Sequence, residues 1–248
     1  MLNADHEILA ELAIVDSERR RRAADPALAR CVQTLKVYQQ RRFSHTYSDL
    51  LSDKRYSPAA RFFLDELYGP SDFARRDAQF ARVVPALVRL FPLQIVRTVA
   101  TLAQLHALSE TLDTEMAHHF LAAGGNGSID AERYVAAWQA TGRPDDRERQ
   151  IALTLEVAAT LDSLTRKTMI RNSLRLMRGP ARGAGLTELQ CFLEAGFDTF
   201  RSMKGAAEFI RTVDERERLL ARTLFGGNGS AASAASLLPE PAIDEVQQ

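Results

Sequence analysis

A chain of 248 residues, 46% apolar and 26% charged, is long enough to bury a sizeable core, and its composition is not that of a disordered or membrane-embedded protein. Its 32 basic residues balance 32 acidic ones, which removes the net-charge argument for nucleic acid or an anionic membrane as partner. The two cysteines, Cys31 and Cys191, lack CxxC or Cys/His spacing and so offer no structural zinc site, and no apolar run approaches the roughly 18 residues of a spanning helix.

Apolar residues recur at three and four nearly throughout, and no stretch alternates as a strand does. The expected fold is therefore all-α, a single-domain bundle of about eight to ten helices over residues 25–225. An acidic and then basic helical extension over 1–24 precedes it, and a small, polar, low-complexity segment over 226–248 is expected to be a disordered tail. Acid precedes the apolar residues at the N-terminus and base follows them, the reverse of a secretory signal, so the cytoplasm is the expected compartment.

In chain order, Asp25 and Pro26 open a helix to about Phe43, with Leu28, Val32, Leu35 and Val37 or Tyr38 inward, and a short helix follows near Tyr47 to Leu51. Ser57 and Pro58 start the next helix and Gly69-Pro70 stops it. Phe62, Phe63 and Leu67 cannot share one narrow stripe, because consecutive residues are about 100° apart, so this helix is expected to be wedged between neighbours. Asp72 is the expected cap of a helix that Pro85 kinks or divides. Leu93 to Ala122 is the longest periodic segment and ends in a glycine-rich loop. Helices are then expected over Asp130–Thr141, Asp146–Arg166, a stretch stopped at Gly179-Pro180, Leu186–Met203 and Ala206–Phe225.

The string "FFLDELYGP" at 62–70, the "DF" and "RRD" just after it, and "LMRGPARGAGL" at 176–186 resemble the bacterial FFLEELY motif proteins, with Asp65 where the motif has Glu. The resemblance runs from about Val37 to Phe225. It implies an all-helical bacterial protein of this length and carries over no catalytic residue.

Three constellations are candidates for function. On the long helix, His106 and Glu110 are four apart, as are Glu115 and His119, and Glu115 with His118 forms Glu-x-x-His; each pair faces one way and could ligate a metal or a haem. The structural alternative gives His118 and His119 to the carbonyls at the helix end, and gives an inward-facing His106 its local partner Glu110. Arg171, Arg175, Arg178 and Arg182 form a basic line suited to an anion or acidic partner, or a solvated face. Asp65, Glu66 and Tyr68 with Arg75 and Asp77 gather opposite charges beside aromatic bulk, as a binding site or as ion pairs between helices.

No nucleophile elbow, phosphate loop, zincin or dinucleotide motif is present, so no catalytic residue is named and no cofactor is specified. The expected function is a non-catalytic helical binding protein whose partner is another protein or a second copy of the chain. The alternative is a haem or metal protein using His106, His118 or His119.

Overall fold

The computed structural model describes residues 4–66, 73–125, 129–226 and 237–239, and among them there are helices and no strands. In chain order they are α1 (Ala4–Ala24), α2 (Pro26–Thr46), α3 (Ser48–Ser52), α4 (Ser57–Glu66), α5 (Ala74–Leu90), α6 (Leu93–Ala122), α7 (Ala131–Thr141), α8 (Pro144–Thr165), α9 (Thr168–Leu176), α10 (Arg178–Gly183), α11 (Thr187–Ser202) and α12 (Ala207–Phe225). None is long and apolar enough to cross a membrane.

The caps follow local chemistry. Asp25 accepts from the backbone N–H groups of Ala27 and Leu28, and Asp130 from that of Arg133, so each satisfies donors that have no partner inside its helix. The 30 residues of α6 make it the spine, about 45 Å long at 1.5 Å per residue. Helices α1, α2, α7 and α8 lie against it, α12 packs on α8 and α7, and α11 bridges α4, α5 and α8.

Three apolar clusters hold these elements. One joins α2, α6, α7 and α12 through Leu35, Tyr38, Met116, Tyr134 and Leu224, and Leu238 is buried against it. A second joins the end of α2 to α3, α4, α8, α11 and α12 around Tyr47, Phe63, Phe200 and Phe209. A third sets Ile8 and Leu12 of α1 against Val84 and Val96. The extension expected over 1–24 is thus a 21-residue helix with Ile8, Leu12, Val15 and Arg22 buried.

The wedge expected of α4 is realised: Phe62 stacks on Phe192, while Phe63 meets Phe200 and Phe209. Phe62 also reaches Gly196 of α11, where an added Cβ would lie 3.0 Å from the ring. Two details differ from the sequence reading. Gly179-Pro180 does not stop a helix but lies inside α10; Pro180 is its third residue, where the absent N–H breaks no intrahelical bond. Gly185, at φ +70°, supplies the stop instead. Pro85 does not divide α5, which runs unbroken from Ala74 to Leu90 with Pro85 on its exposed side. Of the two residues expected inward as alternatives on α2, Tyr38 is the buried one, at 2% exposed against 40% for Val37. The Asp72 cap, the Gly69-Pro70 stop and most of the expected tail lie outside the described residues.

Candidate functional site

Between the three clusters the helices enclose a cavity of about 170 Å³. Its wall follows α6 from Val99 to Asp113 and is completed by α1, α2, α4, α5, α7, α8, α11 and α12. Helical spacing explains how polar groups reach it. His106, Glu110 and Asp113 are four and three apart on α6, and Arg147, Gln150 and Thr154 are three and four apart on α8, so each set forms a line down one face.

Glu110, 5% exposed, accepts from Arg22 of α1 at 2.5 Å and from Lys36 of α2 at 2.6 Å. Burial opposes its ionisation, but the charges of Lys36 and Arg22 prevail and lower its pKa to about 2. Glu217 accepts from Arg42 at 2.5 Å and from the Tyr47 hydroxyl at 2.7 Å. Asp113, 7% exposed, accepts from Gln39 Nε2 at 2.9 Å, and burial pushes its pKa up. Arg147, 3% exposed, lies over the Trp138 ring at 3.9 Å and donates to Gln150 Oε1. The indole N–H of Trp138 is buried and has no acceptor among the described residues.

At the other end, Asp77 of α5 accepts from Arg19 at 2.6 Å and from His106 Nε2 at 2.8 Å. Burial again opposes ionisation, and the hydrogen bond and charge of His106, with those of Arg19, lower the Asp77 pKa to about 2. The partner of His106 is therefore Asp77 and not the local Glu110, which Arg22 and Lys36 occupy. Arg76 stacks between Phe73 and Phe192 and donates to the Glu66 carbonyl.

The structure separates the other predicted site residues. Glu66, Asp77, His106 and Glu110 line the cavity, whereas Asp65 is exposed outside it and Tyr68 lies outside the described residues. Arg75 pairs with Glu188 on the surface. The basic line is split between α9 and α10: Arg171 is 3.9 Å from Asp198, Arg178 clasps Glu194, and Arg175 and Arg182 are exposed. Glu115 pairs with Arg143, His119 is exposed, and His118 Nε2 is buried with no hydrogen-bond partner. Among the described residues no group of three or more His, Cys, Asp or Glu side chains is placed to hold a metal ion.

Sequence reasoning missed Lys36, Arg42, Asp113, Arg147 and Glu217. One signal was available: Asp113 continues the inward line that His106 and Glu110 begin.

Fold and site together define an all-α protein with an internal, charge-lined cavity along its longest helix. The chain belongs to the family described as domain of unknown function DUF8198, whose model matches residues 18–231. No curated protein and no solved structure matches it.

Proposed function

We propose that this chain is a non-catalytic binding protein of the bacterial cytoplasm that holds a small molecule in the cavity along α6. One observation carries the reading: a space of about 170 Å³ coincides with a wall of buried charged groups from several helices. Interiors normally close-pack with few voids larger than a water molecule, and ion pairs are costly to bury relative to apolar side chains. Both costs arise at one place here, as they do in pockets that combine an apolar wall with a few converging polar groups.

The resemblance to the FFLEELY motif proteins supports bacterial origin, and it makes the signature part of the site, since Phe63 and Glu66 lie on the cavity wall. Cys31 and Cys191 are free thiols, in keeping with a reducing compartment.

The test is a thermal-shift panel of small acids, alcohols, amines and amides on the parent and on Ala103→Leu, which fills the cavity from α6. At a concentration roughly a hundredfold above Kd, a true ligand raises the parent Tm by about 5–10 °C. The shift should vanish in Ala103→Leu. A panel that shifts nothing, or shifts both proteins equally, overturns the reading. A Soret band or stoichiometric metal in the purified protein would instead favour the haem or metal alternative at His106, His118 or His119.

A further inference from the structure

We propose that the chain docks reversibly on an anionic lipid surface through one face that is both basic and apolar, formed by α9, α10 and the corner where α5 meets α6. The cavity plays no part in this contact.

The charge balance of the whole chain conceals a local imbalance. Residues 78–109 carry three arginines and residues 163–187 carry six Lys or Arg, and neither segment has an Asp or a Glu. The fold joins the two segments. Lys167 Nζ donates to Gln94 Oε1 at 2.8 Å, where the start of α9 lies beside the start of α6, and Arg82 of α5 donates to the Ala184 carbonyl after α10 at 3.2 Å. Arg166, Arg171 and Arg178 have Asp162, Asp198 and Glu194 opposite them. The other six cations, Arg82, Arg89, Arg97, Lys167, Arg175 and Arg182, are exposed and form no ion pair among the described residues. Acids bound the face: Glu156 of α8 accepts from Thr101, Glu188 pairs with Arg75, and the first turn of α1 brings Asp5 and Glu7 beside the cluster of Ile8 and Val96.

The same elements expose bulky apolar side chains. Helix α9 has no buried residue; Ile170 and Leu174 are half-buried, while Met169 and Leu176, two turns apart on the outer side, are 73% and 80% exposed. Met177 follows them. At the α5–α6 corner Phe91 and Leu93 are exposed as well, and Leu93 shares a helix face with Arg97, four residues on. A single exposed leucine needs no explanation, but five large apolar side chains interspersed with six unpaired cations make a patch that calls for a partner.

A lipid surface satisfies both features together. Lysine and arginine meet anionic headgroups while apolar side chains enter the boundary of the acyl chains, as in helices that lie in the membrane interface. At their exposures Met169 and Leu176 do not stand in a groove, which a docked partner helix would need for its anchors. Nucleic acid would meet the cations but leave the methionines and leucines without a role, and of the aromatic platforms that stack single-stranded bases the face offers Phe91 alone. The contact is peripheral, in keeping with the lack of a helix long and apolar enough to span a membrane among the described residues.

The experiment is flotation of the full chain with vesicles of phosphatidylcholine alone, or of equal parts phosphatidylcholine and phosphatidylglycerol. The chain should float with the anionic vesicles only, and the bound fraction should fall as salt rises toward about 1 M, where charges are screened within about 3 Å. A cation near an anionic surface is worth roughly fivefold in partitioning, so Arg175→Gln with Arg182→Gln should weaken binding about twentyfold. Met169→Ser with Leu176→Ser removes apolar contact and should weaken it at least about tenfold. All four side chains are exposed, so both double variants should melt as the parent does, which separates lost binding from lost folding. Equal flotation with the two kinds of vesicle, no flotation with either, or variants that float like the parent would each overturn the proposal. A discrete oligomer that Met169→Ser with Leu176→Ser dissolves, with neither vesicle bound, would also overturn it and assign the face to contact between copies of the chain.

Discussion

Glu110 is the residue on which the charged wall depends. It neutralises Arg22 and Lys36 together, and both of those side chains are largely buried, at 10% and 18% exposed. Replacing it by Gln removes the charge but not the cations, and breaking a buried pair from one side costs about 3–5 kcal/mol. Urea denaturation of Glu110→Gln should show a loss of that size. Replacing all three groups, as Glu110→Leu with Arg22→Leu and Lys36→Met, should recover most of it, because the desolvation cost leaves with the charges. Asp113 behaves in the opposite sense. Its pKa is raised in the fold, so its ionised form opposes folding above that value and the cost disappears as the pH falls through it. Asp113→Asn keeps an acceptor for Gln39 and should raise Tm at pH 8 by more than at pH 5; a lower Tm at pH 8 would contradict this assignment.

At the scale of elements, α4 and α1 have burdens that their lengths do not advertise. Phe63, 5% exposed, joins α4 to α11 and α12 through Phe200 and Phe209. Truncation of a buried phenylalanine typically costs about 3–5 kcal/mol, and Phe63→Ala should lose that much in a denaturant melt. If it melts like the parent, the motif is not part of the core. Helix α1 buries Ile8, Leu12 and Val15 and supplies Arg19 to Asp77 and Arg22 to Glu110. Three such apolar side chains are worth on the order of 5 kcal/mol or more. A chain beginning at Asp25 should therefore melt far below the full chain, or fail to fold. Equal melting of the two would show that α1 is the separable extension its position at the end of the chain implies.

For the whole molecule, the depressed carboxylates set the response to acid. Asp77 and Glu110 have pKa values of about 2 in the fold, below the ~3.9 and ~4.3 of free side chains. The unfolded chain takes up their protons first as the pH falls. Their contribution, roughly 2–3 kcal/mol each, is therefore complete above about pH 5 and is lost as the pH falls toward 2. A pH series of urea melts should show stability falling through that window, with the fall reduced in the triple variant that lacks Glu110, Arg22 and Lys36. A profile flat between pH 5 and 3 would mean that these carboxylates are not held by their partners.

By itself the sequence determined the helices. Their periodicity, the cap at Asp25 and the loop after Ala122 are encoded within a few residues, because a helix satisfies its own backbone and shows its buried face as a repeat of three and four. It also exposed half of the site, since His106 and Glu110 lie on an inward stripe that could be read along one helix. Only the tertiary structure decided the partners. Glu110 meets Arg22 and Lys36 from 88 and 74 residues away, and Glu217 meets Arg42 across 175. Charged side chains in a balanced sequence carry no mark of which opposite charge they will face, and an isolated helix presents a buried arginine and a solvated one alike. The cavity is less legible still, because a void is a property of how packed helices fail to meet, and no residue encodes it alone.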